Sequence, residues 1–170
     1  GNIELTITYK DQGNTNFSGT HATGHPTKHI YDGGGTTLKN ASKTGYTFEG
    51  WYKEAACTNI VTSLGATAYT ANITLYAKWT ANKYTVKFHE NGGKGEMADQ
   101  GFIYGDAQTL TENAFTLENA LFVGWATSEE NAKIGEVEIH KNQYMGIKNK
   151  DILLSGKERF EVAKNFLACS

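Results

Sequence analysis

Apolar and polar residues alternate strictly at three places in the chain. Ile3, Leu5, Ile7 and Tyr9 are interleaved with Glu4, Thr6, Thr8 and Lys10, the period-2 pattern of a strand with one buried face. Tyr84, Val86 and Phe88 are interleaved with Thr85, Lys87 and His89 in the same way, and Ile73, Leu75, Ala77 and Trp79 mark a third strand in NITLYAKWT. The first two strands each run into a polar, Gly-containing turn, DQGN at 11–14 and ENGG at 90–93. Beyond each turn come a Tyr and a small turn, YDGGG at 31–35 and YGDA at 104–107, and then Phe-x-Gly-Trp. Phe48, Gly50 and Trp51 in the first instance answer to Phe122, Gly124 and Trp125 in the second. Anchors that recur in one order define an internal repeat.

Spacing shows where the copies differ. Tyr9 to Trp51 is 42 positions and Phe88 to Trp125 is 37, so the first copy carries about five extra residues. FSGTHATGHPTKH, at 17–29, is the natural loop to hold them, since loops absorb insertions at small entropic cost. The copies divide the chain into modules at 1–80 and 83–170, and a junction as short as Ala81, Asn82 and Lys83 predicts end-to-end, nearly rigid modules. The second copy has no TLYAKW. Twenty-eight positions beyond Trp125, the distance from Trp51 to Trp79, lies Leu153, so residues 151–154 are expected to supply a shortened closing strand. The next stretch, SGKERFEVAKNFLACS, predicts a C-terminal helix. Ser155 and Glu158 form a capping box, and Phe160, Ala163 and Leu167 fall on one face with Phe166 beside it. That tail is either an atypical cap on an array or a segment that closes on the second module.

YTVKFHENGG, YG, GYTFEGWY and TLYAKW together resemble the Listeria–Bacteroides repeat, the family that includes the B repeat of internalins. The resemblance covers residues 3–80 and 84–125. It implies an α+β, mostly β chain of two tandem small β-grasp-like modules, set in secreted or surface-attached bacterial proteins. It brings no enzymatic activity and no cofactor. The function it implies is a non-enzymatic spacer, stalk or adhesion segment, extracellular or on the cell surface. A host or bacterial surface protein or a glycan would be the partner. The alternative is a carbohydrate- or peptide-binding module using exposed aromatics or an open sheet edge.

Composition narrows the classes. Twenty-one Thr, nine Tyr and eight Phe suit pleated, half-buried surfaces. Sixteen basic against eighteen acidic residues argue against nucleic acid, which demands a concentrated basic surface. No apolar run is long enough to insert in a bilayer. The start at Gly1, without Met or signal peptide, reads as a trimmed piece. Cys57 and Cys169 cannot make a disulfide framework, and each reads as a lone buried thiol.

Candidate chemistry is sparse. His21, His25 and His29 form H-x3-H-x3-H, which on a helix would line one face and suit zinc or copper. Gly24 and Pro26 argue against that helix, and no Cys or acid lies nearby to complete the set, so a solvated loop is expected and no metal site. No nucleophile–base pattern, phosphate loop or carboxylate pair stands out, so no catalytic residue is assigned. Trp51, Trp79 and Trp125 read as core, because a small module needs its large aromatics inside. Tyr52 and Tyr76 point away from those faces and are the candidates for surface contact.

Overall fold

The structure is a computed structural model that describes residues 2–140, 144–146 and 159–168. The chain separates into two compact units, Gly1–Thr80 and Ala81–Ser170. It is mostly β with a small helical part.

In the first unit, β1 (Glu4–Asp11) leads through a 3-10 turn to β2 (Thr15–Asn16), followed by β3 (Lys28–Ile30) and β4 (Thr36–Thr37). Then come β5 (Tyr46–Tyr52), β6 (Ile60–Val61), β7 (Ser63–Leu64) and β8 (Ile73–Ala81). The main sheet has the order β2-β1-β8-β5-β6, with β3 also on β1, while β4 and β7 form a separate ladder. β1 and β8 run parallel, with Ile7 opposite Ile73 and Tyr9 opposite Leu75. Their alternating residues therefore share an inner face, and Leu5, Ile7, Ile73, Leu75 and Ala77 are buried with Trp51, Val61 and Leu64.

In the second unit, β9 (Lys83–His89), β10 (Gln100–Ile103), β11 (Ala107–Thr109) and β12 (Ala120–Ala126) precede helix α1 (Glu129–Ile134). β13 (Ile139–His140), β14 (Tyr144–Gly146) and β15 (Arg159–Ala168) follow. The sheet order is β10-β9-β15-β12-β13, and β11 pairs with β14. Tyr84, Val86, Phe88, Phe102, Leu110, Phe115, Trp125 and Ile139 form its core.

β15 corrects the reading of the tail. Residues 159–168, expected within a helix, are a strand parallel to β9 and antiparallel to β12. This is the place that β8 occupies between β1 and β5 in the first unit. The reason is tertiary. Phe160 and Val162 also alternate, and a segment with both helical and strand periodicity goes where backbone partners wait on two sides. The proposed capping box at Ser155 and Glu158 and the closing strand at 151–154 lie outside the described residues. The helix of this unit instead follows Trp125. Ser128 caps it by accepting from the Asn131 amide at 3.1 Å, and Gly135 ends it at φ 85°.

Phe-x-Gly-Trp has a geometric cause. In a regular strand, residues three apart face opposite sides. Yet Phe48 packs 5.1 Å from Trp51, and Phe122 4.9 Å from Trp125, ring centre to ring centre. A bulge between Phe122 and Gly124 shifts the register of β12 and turns both rings inward. Gly50 holds the matching position in β5 at φ 126°, a conformation that favours glycine.

Candidate functional site

The three histidines of the 17–29 stretch take two different places. His29 lies on β3, fully buried, with Nδ1 2.7 Å from Thr36 Oγ1 and its ring edge-on to Tyr69. His21 and His25 stack on each other, with ring centres 3.9 Å apart and planes 4° from parallel. A turn in which the His25 amide donates to Ala22 O, with Gly24 at φ 75°, brings them together. His21 also stacks on Phe17 at 4.2 Å and meets Tyr9 edge-on at 4.7 Å. The rings of Phe17 and His21 thus lie over Trp51, while Ser18, Thr20, Thr23, Gly24, Thr27 and Lys28 of the same stretch are exposed. Burial, and then His25 beside it, hold the His21 imidazole below its ordinary pKa; burial pushes the Tyr9 phenol up to about 12. Among the described residues, no three His, Cys, Asp or Glu side chains converge as a metal set would require.

A buried carboxylate fastens the base of this stretch. Asp11 ends β1, and its Oδ1 accepts from Trp79 Nε1 at 2.8 Å. Its Oδ2 accepts from the Ser18 amide at 3.1 Å and from the Ser18 hydroxyl at 2.5 Å. Trp51, 2% exposed, donates to Lys39 O at 2.8 Å, and half-buried Trp79 packs 5.2 Å from Phe48. Sequence reasoning missed Asp11. Its one legible signal was position, an acid where the alternation of β1 calls for an inward residue. Cys57 is a buried free thiol at φ 53°, its Sγ 3.9 Å from Tyr76 O, and burial raises its pKa; Cys169 lies outside the described residues.

The second unit has a cleft of about 410 Å³ between the 89–92 turn and the start of α1, lined by His89, Glu90, Asn91, Thr127, Glu129 and Lys133. Several of its groups are already engaged. Ser128 caps the helix, Glu129 pairs with Lys133 at 2.8 Å, and Asn91 donates to Ala132 O at 3.4 Å. Burial raises the pKa of Glu138, but hydrogen bonds from the Thr127 hydroxyl and amide and from Asn131 outweigh it and leave that pKa lowered. These bonds staple α1 to the end of β12.

Tyr52 and Tyr76 lie on neighbouring strands, β5 and β8, and both are half-exposed. Their chain neighbours Trp51, Leu75 and Ala77 are buried, so the two tyrosines share the outer face of the sheet.

The Listeria-Bacteroides repeat domain matches residues 6–78 and 84–151. The chain belongs to this family. The two matched segments are two tandem copies of the repeat, and each carries one Phe-x-Gly-Trp. Two proteins of Evansella cellulosilytica are similar to part of the chain. One, named "Putative membrane protein", is 38% identical over 88 residues, 51% of this chain and 13% of that protein. The other, named "Putative Gly-rich membrane protein", is 34% identical over 88 residues, 51% of this chain and 10% of its own length. The chain thus spans only a small part of these relatives. No solved structure matches. Among the described residues, no helix is long and apolar enough to cross a membrane.

Proposed function

We propose that this pair of repeats is a non-enzymatic segment of a bacterial cell-surface protein, serving as a spacer and adhesive stretch that holds other parts away from the envelope. The observation that carries the reading is the tandem repeat itself, in which each copy closes its own aromatic core. A unit with its own core can be added or lost without rebuilding its neighbour. Relatives named as membrane proteins, of which the matched stretch is a small part, support an envelope setting. The engaged state of the polar groups, with Asp11, Ser128 and Glu138 each consumed by structural hydrogen bonds, supports a scaffold rather than a catalyst.

Brief protease treatment of intact source cells tests this. Peptides from the chain are expected in the released fraction while a cytosolic marker stays behind. Recovery of the chain only after lysis would overturn the surface reading.

A further inference from the structure

The outer face of the first unit's sheet brings together two aromatic rings and two ammonium groups. Lys10 on β1 lies directly opposite Tyr76 on β8, and Lys78 follows two residues later on the same side. The Lys78 ammonium sits 5.9 Å from the centre of the Tyr52 ring. All four side chains are half-exposed. Neither lysine is ion-paired to a carboxylate among the described residues. The carboxylates of this end are occupied: Asp11 holds Ser18 and Trp79 on the inner side, and Glu54 accepts from Thr58 and Asn59. Those bonds, the Asn59 amide first, hold the Glu54 carboxyl down to about 2.

The second unit uses the corresponding place differently. Ala126 follows Trp125 as Tyr52 follows Trp51, but Ala126 is fully buried against Ala132 of α1. The helix covers that part of the outer face, and a tyrosine there would displace it. In the first unit, residues 53–59 form no helix and are pinned at the end of the sheet by the Gly13 amide donating to Ala55 O at 2.8 Å. Tyr52 thus stands, with Lys78 beside its ring, where the sister repeat presents alanine under a helix.

We propose that this face binds a carboxylated polysaccharide. The Tyr52 and Tyr76 rings take the C–H faces of pyranose units, and Lys10 and Lys78 take uronate carboxylates. Neighbouring strands are roughly 5 Å apart and alternate residues roughly 7 Å apart, so the four groups match a short run of sugar units rather than one. Tyrosine suits the task because its ring is apolar and its hydroxyl stays wet. Ammonium–carboxylate hydrogen bonds select the charged polymer. The proposal leans on the surface reading only for where such a polymer is met, and a failure to bind leaves the protease experiment untouched.

Calorimetric titration of the full chain with hexagalacturonate tests it, with the fully methyl-esterified hexamer as the neutral control. Binding is expected to weaken as salt rises. The Lys10→Gln/Lys78→Gln double variant and the methyl ester should each lower affinity about fivefold or more. Tyr76→Ser should also weaken binding, while Tyr76→Phe, which keeps the ring and guards against a folding artefact, should retain it. No binding at about 1 mM hexamer, equal affinity for the ester, or indifference to the lysine exchanges would overturn the proposal.

Discussion

Deleting residues 159–170 removes β15, the middle strand of the second unit, and leaves β10-β9 and β12-β13 as separate two-stranded pieces. Such pieces are marginal in water on their own. The lost ladder is long. Residues 159–163 pair with 85–89 on one side, and 163–168 pair with 120–126 on the other. On the order of ten backbone hydrogen bonds at about 0.5–1.5 kcal/mol net amount to about 5–15 kcal/mol. That equals the entire stability expected of a domain this size. The deletion should therefore abolish the second unit rather than trim it. Urea unfolding followed by tryptophan emission should show Trp125 already in water while Trp51 and Trp79 still report a cooperative transition. A synthetic peptide of residues 155–170 added in trans should restore the missing transition by strand addition. If the shortened chain keeps a cooperative second unit, β15 is not its central strand and the sheet order is wrong.

Trp51→Ala should cost the first unit about 3–5 kcal/mol, since the ring is 2% exposed and its Nε1 leaves Lys39 O unpaired; a loss under about 1 kcal/mol in chemical denaturation would place the ring outside. Gly19→Ala should destabilise by about 1–3 kcal/mol, because the new methyl would come within 2.5 Å of the Trp79 ring and 2.9 Å of Ser42 O. An unchanged melting temperature would show that Trp79 packs elsewhere. The His21 pKa is lowered on folding, so the unfolded chain holds more protons once pH drops below about 6.5. The first unit's urea midpoint should be flat above that pH, fall as pH falls toward the depressed folded pKa, then level off. His21→Gln should flatten the fall, and an unaltered slope would acquit His21.

Strand alternation was legible because it depends on residues two apart and on nothing distant: Leu5, Ile7, Leu75 and Val86 are buried where the pattern puts them. The repeat was legible for the same reason, since Phe48 with Trp51 and Phe122 with Trp125 bring two rings together within four residues around one glycine. What escaped was set by partners far along the chain. Residues 159–168 satisfy helical and strand periodicity alike, and the choice between them belongs to β9 and β12, about 40–75 positions away. Asp11 escaped likewise, because its value lies in meeting Trp79, 68 positions on. Spacing groups His21, His25 and His29 as one set, and Gly24 and Pro26 argue only against a helix through them. Yet the turn at Gly24 stacks two of them while strand pairing with β1 carries the third into the core. The outer face obeys the same division. Local pattern shows that Tyr52 and Tyr76 point outward, but only the sister repeat, with Ala126 under a helix, shows that leaving them uncovered is a choice this fold can make either way.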